Sequence, residues 1–134
     1  MNKLRWTLAA VALLGAGCSR AGASARHETV HVTIHFSHYE PSSFHFTTGE
    51  TVTFVVTNED PIDHEFIVGD EAVQDVHEKG TETHHGARPG EISLPAGTTR
   101  STTYTFTTSS PLIAGCHLPG HYAYGMRAPI TVTS

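Results

Sequence analysis

Alternation of apolar and polar residues restricts the fold of this chain more than any other feature of its sequence. From about residue 29 onward, apolar side chains recur at every second position in several short runs, which is the period of a strand with one buried face. Proline, glycine, serine and asparagine separate the runs, and no long helical stripe occurs. The expected inward-facing residues are Val30, Val32, Ile34, Phe36, Val52, Phe54, Val56, Thr102, Tyr104, Phe106, Ile130 and Val132. The pattern predicts an all-β fold, an antiparallel Greek-key β-sandwich.

One segment interrupts this rhythm. Residues 70–91 are polar, contain several histidines and glycines, and are too many for a hairpin turn. We expect a long excursion loop with a short helical turn at about residues 72–78.

The first residues have the layout of an export signal. Lys3 and Arg5 precede an apolar run over residues 6–17, which is shorter than the ~20 residues of a membrane-spanning helix. Two cleavage schemes are open: a lipoprotein box that ends at Cys18, or ordinary cleavage near Ala23. We therefore predict a signal peptide at residues 1–17, a linker at 18–27 and one domain at 28–134, exported to the periplasm or the cell surface.

We expect the two cysteines to have different roles. Cys18 is either lipidated, and so tethers the domain to a membrane, or it is lost with the leader. Cys116 then stands alone in an exported protein, where cysteines normally pair, and a metal ligand explains it well. Loss of residues 1–17 leaves six basic against 13 acidic residues, a formal charge of −7, which argues against nucleic-acid binding. We expect a monomer.

A metal-ligand pattern surrounds Cys116. The loop CHLPGHYAYGM places Cys116, His121 and Met126 five residues apart, with proline and glycines between them to turn the chain. Cys116 has the parity of inward-facing residues in the strand before it, and the distant His64 has the parity of Phe66, so both should point inward. Two histidines, a cysteine and a weaker axial methionine are the ligand set of a type 1 copper site.

The ligand types also indicate what the site does. Thiolate and thioether favour Cu(I) and imidazole suits Cu(II), so a site with a compromise geometry rearranges little when one electron passes. We predict one type 1 copper per chain and a protein that carries electrons and catalyses no bond chemistry by itself.

The segments NEDPIDHEFIVGD and GCHLPGHYAYGM resemble the two ligand segments of the cupredoxins, and the loop spacing is similar to that of rusticyanin-like bacterial members. The resemblance implies copper ligation by His64, Cys116 and His121, with Met126 as the axial ligand. It also implies that electrons pass at His121 to redox proteins that dock transiently there. Leu118, Pro119 and Tyr122 would form the apolar surround of this docking site.

Three residues need separate interpretation. Many cupredoxins have Asn or Ser directly after the first ligand histidine, whereas this chain has Glu65. His117 follows the cysteine, as in the multicopper oxidases, and we expect it to face solvent or to support the ligands. Gly115 stands where those oxidases have a second histidine, and there is room for only one domain, so an oxidase is disfavoured.

Two alternatives stay open. The same copper site would serve a protein that sequesters copper in the cell envelope and confers copper tolerance. The excursion loop also carries residues that could hold Cu(II) or Zn(II) loosely, although a solvated loop is the simpler interpretation. These residues are His77, Glu78, His84 and His85.

Overall fold

The computed structural model describes residues 26–80 and 88–134. The signal peptide, Cys18 and most of the linker lie outside these residues, as do His84 and His85. The elements are β1 (His27–His35), β2 (His38–Glu40), β3 (Phe44–Thr47), β4 (Thr51–Asn58), β5 (His64–Gly69), α1 (Glu71–Lys79), β6 (Glu91–Leu94), β7 (Thr99–Thr105), β8 (Leu112–Gly115) and β9 (Arg127–Thr133). The first strand thus begins at the last residue of the predicted linker. No helix in the described part has the length and apolar character of a membrane span.

The strands form two sheets that pack face to face. One sheet has the order β2-β1-β4-β7 and the other the order β3-β9-β8-β5-β6. The predicted β-sandwich is therefore confirmed, but the sheets are mixed, because β1 pairs with β4 and β3 with β9 in parallel. The chain leaves the first sheet after β2, adds β3 to the second sheet, and returns as β4 on the other side of β1. That detour makes β4 run in the same direction as β1.

Aromatic rings join the two sheets. Phe54 of β4 is fully buried, and its ring centroid lies 5.8 Å from those of Phe44 and Phe46 on β3 and 5.1 Å from that of Phe66 on β5. The other predicted inward-facing residues are buried or partly buried in the same core, except Phe36. Alternation in the sequence therefore located the core correctly in both sheets.

Phe36 was wrongly assigned to the core. Its side chain is 78% exposed, because β1 ends one residue earlier and the chain reverses toward β2. Phe36 and Ser37 form this reversal with φ angles of 49° and 57°, which residues other than glycine adopt infrequently. The backbone N–H groups of both residues donate to the Asp60 carboxylate at 2.7 Å.

The excursion loop contains a helix of nine residues, longer than the predicted helical turn. The Asp70 side chain caps α1 by accepting a hydrogen bond from the Val73 N–H at 3.0 Å, and Gly80 ends the helix. Gln74 of α1 is buried, and its amide donates to carbonyls of β5 and β8, including that of Ile113 at 2.9 Å. These bonds attach the helix to the sheet that carries the predicted metal ligands.

Candidate metal centre

Three donor side chains meet at one end of the sandwich. His64 begins β5, Cys116 follows β8, and His121 lies in the loop between β8 and β9. The Nδ1 atoms of the two histidines are 3.2 Å apart, and the Cys116 Sγ lies 3.3 Å from the His121 Nδ1. Ligands at ~2.0–2.3 Å from a shared ion have donor atoms at about this spacing. Among the described residues, these three form the group of His, Cys, Asp or Glu donors that could hold a metal ion.

Met126 is attached to the same cluster through its main chain. Its N–H donates to the His121 carbonyl at 3.0 Å, and its carbonyl accepts from the Cys116 N–H at 3.2 Å. Gly120 and Gly125 permit this fold-back with φ angles of 85° and 103°. The Met126 side chain is buried. Main-chain hydrogen bonds therefore hold Met126, at the end of the loop that Cys116 begins, next to Cys116 and His121.

His64 is held from behind by a carboxylate. Its Nε2–H donates to Asp60 Oδ2 at 2.8 Å, so its Nδ1 faces Cys116 and His121. Burial lowers the pKa of His64, although the bond to Asp60 opposes that shift. A neutral imidazole with a free Nδ1 lone pair is the form that binds a metal. Burial by itself would raise the pKa of Asp60, but hydrogen bonds from Ser37, Phe36 and His64 outweigh it and lower the pKa.

The cysteine is buried and receives backbone hydrogen bonds. The Glu65 N–H donates to its Sγ at 3.3 Å, and the Leu118 N–H is a second donor. Burial raises the pKa of the Cys116 thiol to about 12 in spite of these bonds. The thiol is thus protonated at neutral pH unless a cation replaces the proton. A soft thiolate with two imidazoles and a buried thioether-bearing residue nearby fits copper.

His117 does not face solvent. Its side chain is 2% exposed, and its ring lies between two residues of α1: Nε2 is 2.6 Å from Gln74 Oε1 and Nδ1 is 2.8 Å from Glu78 Oε2. The ring also stacks on Tyr122 at 4.6 Å. His117 thus connects the ligand loop to the helix. The sequence contained no signal for this contact, because it depends on where the excursion loop returns to the sheet.

A second metal site in the excursion loop remains a hypothesis. Its described members are already engaged elsewhere: the His77 ring donates to the Val73 carbonyl at 2.8 Å and lies 3.5 Å from Glu91, while Glu78 contacts His117. His84 and His85 lie outside the described residues. The described part of the loop therefore supplies no third convergent donor of its own.

Gly115 has a packing role that its sequence position did not suggest. A Cβ atom at this residue would lie 2.6 Å from Gln74 Oε1 and 2.8 Å from the Tyr122 ring. Gln74 contacts His117 by a hydrogen bond and Tyr122 stacks on its ring, so neither neighbour can move away without losing that contact. We expect Gly115→Ala to lower the free energy of unfolding by about 1–3 kcal/mol, as overpacking does. Urea denaturation of the metal-free protein measures this change.

A double-mutant cycle tests the cause of that loss. Gln74→Ala removes the nearest obstacle, so the combined Gly115→Ala and Gln74→Ala protein should lose less stability than the sum of the two single losses. Strict additivity would show that the clash with Gln74 is not the cause.

Two bacterial proteins are similar to this chain in sequence. The copper-resistant cuproprotein CopI of Pseudomonas aeruginosa is 26% identical over 144 aligned positions, which cover 84% of this chain and 80% of that protein. CopI of Rubrivivax gelatinosus is 30% identical over 97 positions, which cover 70% of this chain and 59% of that protein. The chain thus spans somewhat more than half the length of the second relative.

Solved structures share the fold. Auracyanin B superimposes with a TM-score of 0.66 at 20% identity, over 80% of this chain and 89% of that chain. Rusticyanin from Thiobacillus ferrooxidans gives 0.55 at 19% identity, over 78% and 77%. The blue copper oxidase from Nitrosomonas europaea gives 0.60 at 16% identity, over 81% of this chain but only 39% of its own. The last match corresponds to one part of a longer enzyme.

A family model assigns the chain directly. The model of the cupredoxin-like domain matches residues 7–91, which is more than half of the chain; the match includes His64 and ends before Cys116. The sandwich and the convergent donors His64, Cys116 and His121 agree with that match. The chain therefore belongs to the cupredoxin-like domain family.

Proposed function

We propose that this protein binds one copper ion through His64, Cys116 and His121, with Met126 as the axial ligand, and carries single electrons. The convergence of two imidazole Nδ1 atoms on a buried thiol carries this proposal. The family assignment supports copper as the cofactor. Copper in such a site supplies a one-electron couple.

The protein's own groups would keep the site rigid. Asp60 holds the His64 ring, two backbone N–H groups hold the Cys116 sulfur, and main-chain bonds tie Met126 to both other ligands of the loop. All of these contacts are made by groups of the protein itself. A site that is organised in this way moves little between oxidation states, which favours rapid electron transfer.

The docking site for redox partners would lie around His121. This residue is only partly buried, and Leu118 and Tyr122 are partly exposed beside it, while Pro119 is exposed. A small apolar surface of this kind suits brief encounters with other proteins. We infer that transient protein partners dock there. We also propose that the protein catalyses no bond chemistry by itself.

Copper tolerance is a second candidate function. It is favoured by the two bacterial relatives, both of which are named copper-resistant cuproproteins. The same four ligands would then hold copper away from other targets in the cell envelope. Both functions require export, and we propose that residues 1–17 are a signal peptide ahead of a linker and a periplasmic or surface-exposed domain. Lipidation of Cys18 would add a membrane tether.

The first test is to titrate Cu(II) into the purified protein. We expect an intense blue or green colour that saturates at one copper per chain, since thiolate-to-copper charge transfer absorbs visible light. A colourless complex would overturn the assignment of a type 1 site.

The second test separates the two candidate functions. A deletion strain is grown with elevated copper and, separately, under ordinary respiratory conditions. A defect in respiration at normal copper levels supports electron transfer, whereas a defect confined to copper stress supports tolerance. Copper bound beyond one ion per chain, and lost on substitution of His77, His84 and His85, would also support tolerance.

A further inference from the structure

The Asp60 carboxylate accepts three hydrogen bonds, one of them from the proposed copper ligand His64. Oδ1 accepts the Phe36 N–H at 2.7 Å, while Oδ2 accepts the Ser37 N–H at 2.7 Å and the His64 Nε2–H at 2.8 Å. Asp60 is only 6% exposed. One buried carboxylate therefore joins the turn between β1 and β2 to a proposed copper ligand.

The fold holds this carboxylate in place from several sides. Its own N–H donates to Asn58 Oδ1 at 3.0 Å, and the Asn58 amide in turn donates to carbonyls across the loop. On the other side, Phe36 and Ser37 adopt positive φ angles that turn both of their N–H groups toward Asp60. Such a conformation is unfavourable for non-glycine residues and is retained where the surroundings compensate for it.

The hydrogen bond between His64 and Asp60 determines which ring nitrogen of His64 is available to a metal. Because Nε2 donates to a carboxylate, that nitrogen carries the proton, and the Nδ1 lone pair is left facing Cys116 and His121. A carboxylate behind a ligating histidine fixes both the tautomer and the ring orientation and increases the basicity of the ligand.

The charge of Asp60 has a second consequence. Three N–H donors stabilise the ionised carboxylate, and its burial places the negative charge in a region of weak screening. A fixed anion behind one ligand stabilises the more positive oxidation state of a bound metal over the less positive one.

On the basis of the proposed function, we propose that Asp60 is a positioning residue that locks His64 for metal binding and biases the copper site toward Cu(II). Asp60, which precedes His64 by four residues, thus contributes to the affinity and the potential of the site. Asp60 does not itself bind the metal in this account.

Asp60→Asn is the main test, since it keeps the size of the side chain and removes its charge and one acceptor. We expect the affinity for Cu(II), measured by competition with a chelator, to fall about 10–100-fold, as on loss of other partners of ligating histidines. The affinity for Cu(I) should fall less, so the reduction potential should rise by about 59 mV for each tenfold change in the affinity ratio. Glu59→Gln is the matched control, because it removes the same charge from the neighbouring exposed residue; we expect less than a threefold change.

Two results would overturn the proposal. One is an Asp60→Asn protein that binds Cu(II) and Cu(I) as the unaltered protein does. The other is an equal shift in Glu59→Gln, which would indicate a general effect of net charge.

A measurement on the unaltered protein covers the case in which Asp60→Asn does not fold. Nitrogen-15 NMR of the metal-free and Cu(I)-loaded protein should show His64 protonated at Nε2, and an unprotonated Nε2 would refute the proposal. If the unaltered protein forms no coloured copper complex, the proposed function fails, while the NMR result still shows whether His64 has the tautomer that its bond to Asp60 requires.

Discussion

Cys116→Ser should abolish the visible colour of the copper-loaded protein. Cys116 is fully buried, with its sulfur 3.3 Å from the His121 Nδ1, and as the proposed copper ligand it would be the source of the charge-transfer absorption. A serine hydroxyl at this position stays protonated near neutral pH and offers a neutral oxygen in place of a thiolate, which removes the soft, charged donor that selects copper. We expect complete loss of the intense band and loss of stoichiometric Cu(II) binding at this site, recorded by visible absorption and equilibrium dialysis.

Met126→Leu is the control for Cys116→Ser. Met126 is buried and would be a weak axial ligand, so leucine should preserve the packing and leave the three strong donors in place. The Met126→Leu protein should keep an intense colour with a shifted maximum. An intense band that persists in Cys116→Ser would exclude Cys116 as the chromophoric ligand.

Much of this site could be predicted because strand parity carries long-range information. His64 shares parity with Phe66, and Cys116 shares parity with Ala114. In the structure all four side chains are buried, Cys116 directly after β8, and β5 and β8 pair within one sheet. The short loop supplied the other two donors by spacing alone. The fold class followed from the same alternation, since one apolar face for each strand requires a second sheet to cover it.

The features that could not be predicted depend on contacts between segments whose sequence patterns are unrelated to one another. Asp60 was not among the predicted site residues, because nothing in the sequence indicated that the turn at Phe36 would bind it. The alternating pattern placed Phe36 on the buried face of the first strand, because a phenylalanine fits such a pattern whether its side chain is buried or exposed. His117 likewise gained its role from α1, whose position depends on the fold of the excursion loop.

The largest loss of stability is expected from Phe54→Ala. Phe54 lies in the first sheet, is fully buried, and contacts Phe44 and Phe46 on β3 and Phe66 on β5, all in the second sheet. Truncation removes the buried ring and leaves a cavity between the sheets, which costs about 3–5 kcal/mol of unfolding free energy. Since domains of this size are stable by only about 5–15 kcal/mol, the loss should be plain in urea denaturation of the metal-free protein.

Phe36→Ala is the control that tests whether burial of the ring causes the loss of stability in Phe54→Ala. It deletes the same side chain from a residue that is 78% exposed, so the unfolding free energy should change by no more than about 0.5 kcal/mol. The backbone N–H of residue 36 still donates to Asp60 in this variant, so the contact behind His64 is retained. Equal losses in Phe54→Ala and Phe36→Ala would contradict the packing described between the sheets. A large difference would show that the aromatic contacts of Phe54 stabilise the sandwich that positions the proposed copper ligands.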